Sequence, residues 1–242
     1  MRNVEQLDIL AFAAHPDDVE LSASGTLMKH IDMGMTVGIV DLTKGELGTR
    51  GDEITRKSEA TNASKIMGIH VRENLGLEDG FFEINGENKL KIIEVIRKYR
   101  PRIILANAIE DRHPDHGRAA KLVADAAFLS GLPKIATTFH DEPQIPHRPQ
   151  ALYHYIQDYY LNPDFVVDVT PFVQKKIEAI KAFKTQFFDP DSIEPNTPIS
   201  GEEFFDFITG RMMQFGRPSG FKYAEGFTSN RTIGVNNLID LS

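Results

Sequence analysis

Two short apolar runs in this chain each lead to the tripeptide His-Pro-Asp, and that repetition restricts the fold more than any other feature. The first run, Ile9-Leu10-Ala11-Phe12-Ala13-Ala14, enters His15-Pro16-Asp17 and is extended by Asp18. The second, Arg102-Ile103-Ile104-Leu105-Ala106-Asn107-Ala108-Ile109, precedes His113-Pro114-Asp115, extended by His116. Short runs without polar alternation suit strands buried on both faces, as in parallel sheets covered by helices. A residue before proline is driven out of the helical region, so His15 and His113 should be extended, at the carboxyl ends of their strands.

The first half of the chain keeps this rhythm. Strand-like runs at 7–14, 35–43, 70–75 and from Pro101 alternate with helical patterns over 19–34, 54–67, 89–99 and 117–130. The alternation predicts an α/β fold with a Rossmann-like, mostly parallel sheet and helices on both faces. A strand order of 3-2-1-4-5 would make strands 1 and 4 neighbours at the switch point, where ligands bind, and both motifs would open into one crevice.

This core spans about 7–132 of a single domain, 1–242. From about residue 133 the pattern loosens into a C-terminal extension, with Pro133, Pro143, Pro146 and Pro149 along a loop. Strands are expected near 152–157 and 165–168, and helices over 171–187 and 202–215. The polar, proline-rich stretch 189–200 reads as a surface loop and a candidate lid. The final segment shows no clear pattern.

Composition removes several function classes. No apolar stretch reaches the length of a membrane span, and no signal-peptide core precedes the first strand, so a cytoplasmic protein without a membrane partner is expected. A net charge of −8 argues against nucleic acid, which calls for a basic face. Cysteine is absent, so only His, Asp and Glu are left to hold a metal. The loop Lys44-Gly45-Glu46-Leu47-Gly48-Thr49-Arg50-Gly51 matches neither dinucleotide nor ATP-binding glycine patterns.

A hydrolytic zinc site usually takes three protein ligands from His and carboxylate and leaves a fourth position for water. His15, Asp18 and His116 supply that set for one Zn2+ per chain, with Fe2+ or another divalent ion as alternatives. Asp17, beside Asp18 but unable to point the same way, is free to act as general base. His113 is placed to serve the oxyanion or the leaving amine, with Asp115 orienting it. Each aspartate could instead be an N-cap, worth ~1 kcal/mol. Caps need no histidine and do not come in matched sets, which favours the joint site. Two His and a carboxylate also describe non-haem iron oxygenases, although those sites usually sit in all-β barrels. A non-catalytic Rossmann-like binding domain with a structural metal would want a fourth protein ligand, and none is evident.

The run Ala14-His15-Pro16-Asp17-Asp18-Val19-Glu20, with His113-Pro114-Asp115-His116, resembles the PIG-L/LmbE family of zinc-dependent N-acetylglucosaminyl deacetylases. Thr43-Lys44-Gly45-Glu46, Gly48-Thr49-Arg50-Gly51, Arg56, Glu59-Ala60 and Pro146-His147-Arg148-Pro149 share in it. The resemblance, nearest the bacillithiol-biosynthesis branch, implies an LmbE-like hydrolase that removes acetyl from N-acetylglucosaminyl-malate, or from another N-acetylglucosamine-containing sugar. It implies zinc on His15, Asp18 and His116, a base at Asp17, and an Asp115–His113 pair supporting the transition state. It also implies a homo-oligomer, often a hexamer in that family. Some relatives carry a tyrosine where this chain has Asp111, so an oxyanion contact is expected to be lost. Arg56, Arg112 and Glu46 are the candidate substrate contacts, the arginines for a substrate carboxylate. His140, His147 and His154 are expected to be structural or exposed, and Phe204, Phe205, Phe207 and Phe215 to belong to core or interface.

Overall fold

In the computed structural model, which describes residues 6–241, the first half runs β1 (Ile9–Ala13), α1 (Asp18–Ser22), α2 (Ser24–Asp32), β2 (Val37–Thr43), α3 (Glu53–Met67), β3 (Val71–Leu77), α4 (Gly86–Tyr99), β4 (Ile103–Ala106) and α5 (Pro114–Leu129). A short hairpin of β5 (Thr138–Phe139) and β6 (Glu142–Pro143) follows. Next come β7 (Ala151–Tyr155), β8 (Phe165–Asp168), α6 (Val173–Lys181), α7 (Glu203–Gly216) and β9 (Ala224–Ser229).

The main sheet has seven strands in the order β3-β2-β1-β4-β7-β9-β8. The five from β3 to β7 are parallel, whereas β9 runs antiparallel between β7 and β8. β1 is buried throughout because helices cover both faces, and its residues divide by the period-2 rule. Leu10 and Phe12 pack with Ile93 and Ile96 of α4 and Leu122 and Val123 of α5. Ile9, Ala11 and Ala13 face Leu27 of α2, Met67 of α3 and Ala179 of α6. The α/β class, the covered faces and the adjacency of strands 1 and 4 agree with the sequence. The C-terminal segment supplies three of the seven strands, so residue 132 does not mark an edge of the sheet.

Three elements differ from expectation, each for a local reason. The helix expected over 19–34 is broken at Ala23, whose φ of −136° leaves helical space. The Glu225 carboxylate, from β9, accepts from the Gly25 and Thr26 amides at 2.9 and 2.7 Å and so caps the second piece. The helix expected to reach residue 187 ends at Lys181. Beyond it Phe183 and Phe187 turn into a cluster with Phe204, and Thr185 donates to Glu59. The second His-Pro-Asp opens α5 rather than preceding it: Pro114 takes the first turn, where a missing N–H costs nothing, and His113 is the N-cap.

Glu225 also pairs with Lys176 at 2.5 Å, and both side chains are almost wholly buried. Removing one partner of a buried pair leaves an uncompensated charge. Glu225→Ala is therefore expected to lose about 3–5 kcal/mol in urea unfolding, because it also uncaps α2. A loss under about 1 kcal/mol would show that the pair behaves as a surface bridge.

Candidate functional site

The parallel β1–β4 pairing delivers both His-Pro-Asp motifs to one edge of the sheet, and three imidazoles meet there. Ring centroids lie 4.6 Å apart for His15 and His113, 5.6 Å for His15 and His116, and 5.2 Å for His113 and His116. Asp18, buried beneath them, has Oδ2 3.7 Å from His15 Nδ1 and Oδ1 3.1 Å from His116 Nε2. Donors about 2.1 Å from one tetrahedral ion lie about 3.4 Å from each other. The two Asp18 contacts bracket that spacing, each through a different carboxylate oxygen. Burial resists charge on Asp18, but His116 and His15 outweigh it and hold the carboxyl below the ordinary range.

The far nitrogens of both imidazoles are occupied by carboxylates, which leaves the near ones to point at a cation. His116 Nδ1 meets Asp111 at 2.5 Å, and His15 Nε2 meets Asp79 at 3.0 Å and Asp115 at 3.2 Å. Such contacts fix tautomer and ring orientation and raise ligand basicity. Burial opposes charge on His15, yet the Asp115 and Asp79 carboxylates push its ring up to about 10. His116 rises to about 9 against burial through Asp18 and Asp111.

With one donor atom from each residue, two trios converge among the described residues, His15 with His113 and His116, and His15 with Asp79 and Asp115; the set expected from the sequence, His15, Asp18 and His116, is not one of them. Their groups have partners within the protein, as Asp18 does in the His15 amide, Asn107 and Gln157. The ring of His113 accepts at Nδ1 from the Asp115 amide at 3.2 Å, so in the neutral ring Nε2 carries the proton and offers no lone pair. The Asp79 and Asp115 carboxylates are already engaged by the Leu47 amide, the Gly80 amide and Arg118.

Asp17 stands apart from the donor set. Its φ of 131° is a strained conformation for a non-glycine residue. Arg56 reaches in to hold it, donating to Asp17 Oδ2 at 2.9 Å and to the Pro16 carbonyl at 2.7 Å. Burial pushes the Asp17 carboxyl up, Arg56 draws it back and Asp18 raises it again, leaving it at about 7. Gly45 makes room for the guanidinium: its φ is +69°, and a Cβ there would fall 2.5 Å from an Arg56 nitrogen.

His113 is half-buried, and burial followed by its two histidine neighbours lowers its pKa. The Asp115 carboxylate does not face it as expected. It faces His15, while the Asp115 backbone amide serves His113. Asp111, expected only as a lost tyrosine, is the partner of His116. Arg56, expected at substrate, lines the cavity while it holds Asp17. Arg112 lines the cavity, exposed, and donates to Asp158 at 2.9 Å. Glu46 accepts from the Asp79 amide at 3.1 Å and lies outside the cavity lining. His147 and His154 bond the Pro101 and Asn107 carbonyls, and His140 is exposed. Glu194, in the expected lid, ties to Arg50 and Gly51.

A cavity of about 450 Å³ opens over the cluster. Phe204, Phe207 and Phe215 of α7 line it, so three of the four phenylalanines expected in core or interface reach the site. Gln157 also lines it, donating to Asp18 Oδ1 at 3.0 Å. Asp79 and Gln157 escape a reading of the sequence, since neither belongs to a motif. Both sit just past strand ends, β3 and β7, which is the one signal that could have marked them.

The model of the PIG-L family, described as GlcNAc-PI de-N-acetylase, matches residues 10–127. The diacetylchitobiose deacetylase of Thermococcus kodakarensis is 28% identical over 228 residues, 90% of this chain and 81% of that protein. The 4-oxalmesaconate hydratase of Pseudomonas putida is 25% identical over 203 residues, 76% of each. Among solved structures, the conserved protein TT1542 of Thermus thermophilus superposes with a TM-score of 0.83 at 33% identity, covering 96% of this chain and 98% of the other.

If Asp111 orients His116 for a metal, Asp111→Asn should weaken metal affinity about 10–100-fold with the fold intact. Competition against a chelating dye measures this. Unchanged affinity would place the metal away from His116.

Proposed function

Because the chain belongs to the PIG-L/LmbE family, we propose that it is a metal-dependent amidohydrolase that removes the acetyl group from an N-acetylglucosamine-type sugar. The observation that carries this reading is the division of labour at one strand edge. His15, Asp18 and His116 would hold the metal, while a held carboxylate and a neutral imidazole remain free of it. A divalent cation on His15, Asp18 and His116, proposed as zinc, would supply Lewis acidity and lower the pKa of water to about 7.

The chain's own groups account for the proton transfers. Asp17, with Oδ2 fixed by Arg56, takes a proton from the attacking water at its other oxygen. His113 carries its proton on Nε2, which the Asp115 amide enforces, and gives a hydrogen bond to the developing oxyanion. The proton that Asp17 took from the water passes to the departing amine. Asp115 acts through His15 instead. The C–N bond breaks, acetate leaves, and the sugar keeps the amine.

The relative from T. kodakarensis is named for a diacetylchitobiose substrate and favours the amino-sugar class here. The finer expectation, N-acetylglucosaminyl-malate in bacillithiol biosynthesis, rests on the sequence resemblance. A malate carboxylate would fall to Arg112 at the cavity mouth, since Arg56 is committed to Asp17. The P. putida relative is named as a hydratase, an activity that uses water without splitting an amide. Hydrolysis is favoured here because the deacetylase relative matches more of the chain, 90% against 76%, at higher identity.

Acetate release from N-acetylglucosaminides tests the proposal, with and without malate at the anomeric carbon. Chelation should abolish turnover and added Zn2+ restore it. Asp17→Asn should keep the metal and lose ~10²–10⁴-fold in kcat, and His113→Ala ~10²–10³-fold. Absence of acetate release from every glycoside by metal-loaded enzyme would sink the hydrolase.

A further inference from the structure

β4 and β7 are neighbours in the sheet, and residues just past their ends, Asn107 and Gln157, meet at Asp18. Asn107 is fully buried and belongs to neither motif. Its Nδ2 donates to Asp18 Oδ2 and to Gln157 Oε1, each at 3.0 Å. Its Oδ1 is buried without a hydrogen-bond partner. An unmet buried acceptor is costly, so what this side chain contributes to the site is its nitrogen.

Those contacts decide which way round the Gln157 amide sits. Oε1 accepts from Asn107 Nδ2 and from the Ala108 amide at 3.1 Å, while Nε2 donates to Asp18 Oδ1 at 3.0 Å. Turned over, the amide would set its oxygen against a carboxylate and its N–H groups against two donors. The backbone is fixed as well. Arg211 of α7 donates to the Gln157, Asp158 and Tyr159 carbonyls at 3.0, 2.9 and 3.3 Å.

An amide nitrogen carries two hydrogens, and they point apart. Asp18 Oδ1 and His116 Nε2 lie 3.0 and 3.5 Å from Gln157 Nε2, but only 3.1 Å from each other. The angle between them is too narrow for one hydrogen each, so a single N–H faces both. The other N–H has no partner among the described residues, on a side chain that lines the cavity.

We propose that Gln157 is a catalytic residue: its free N–H donates to the substrate carbonyl oxygen and holds the oxyanion that forms there, together with His113. This rests on the amidohydrolase reading above. The water oxygen bonds to the acyl carbon, the carbonyl electron pair moves onto its oxygen, and that charge meets an N–H already in place. Donors set before the reaction need no reorganisation as charge develops. Both donors neighbour His116, His113 with ring centroids 5.2 Å apart and Gln157 with 3.5 Å between nitrogens.

Gln157→Ala, assayed at saturating metal, should lose ~10²–10³-fold in kcat, with KM nearly unchanged, since the interaction is made only in the transition state. Glucosamine with methylphosphonyl in place of acetyl is a charged tetrahedral mimic of the adduct. Its affinity in calorimetry should fall by a similar factor. Gln157→Met keeps the length without a donor and gives the same readouts where alanine fails to fold. A chelating dye measures metal affinity in each variant. Affinity weakened about 10–100-fold, with kcat restored once metal saturates, would reduce Gln157 to a support for Asp18 and overturn the proposal. Wild-type kcat in both variants also overturns it, while the hydrolase stands. Wild-type enzyme that releases no acetate sinks the hydrolase instead, and the phosphonate then decides alone: weaker binding by the variants supports the donor, and equal binding removes it.

Discussion

The parallel ladder between β1 and β4, with Ile9 opposite Ile103 and Ala11 opposite Leu105, is the constraint on which the rest of the site depends. Parallel strands end on the same side, so chain segments far apart in sequence deliver their carboxyl ends to one edge. The helices enforce the pairing from both faces, through Leu10 and Phe12 on one and Ile9 and Ala11 on the other. Each strand then gives way to a proline. In the first motif the backbone bends into the strained turn at Asp17, and in the second it opens a helix capped by His113.

Around that edge a layer of carboxylates sets the orientation of the imidazoles. Asp79 and Asp115 hold His15, and Asp111 holds His116. Each carboxylate is itself anchored by backbone amides, from Leu47, Gly80 and Tyr159 respectively. A polar network in which every member is satisfied stiffens the groups it contains. The glycine-rich loop belongs to this layer rather than to a nucleotide site. Its Leu47 amide anchors Asp79, its Glu46 braces the same turn, and Gly45 clears the path for Arg56.

The C-terminal segment turns this edge into a cavity. β9 enters the sheet between β7 and β8, and its Glu225 stabilises the break between α1 and α2 that leaves Leu21 and Ser22 at the cavity. α7 packs on the same strand and covers the metal-competent cluster with apolar side chains. The buried Lys176–Glu225 pair thus ties β9 to α6 and to the second piece of the broken helix.

The sequence by itself determined the α/β class, the neighbouring places of strands 1 and 4 and the convergence of the two motifs. Those features follow from local physics: unalternated apolar runs, the restriction before proline, and the handful of topologies open to a βα repeat. Only the tertiary structure decided which carboxylate serves which histidine, that Arg56 holds Asp17, that Asp79 and Gln157 join the site, and that α7 walls the cavity. Hydrogen-bond partners across the fold leave no periodicity in sequence. β9, with glycine at its centre and Glu225 buried within it, has no strand pattern until β7 and β8 stand on either side to pair with it.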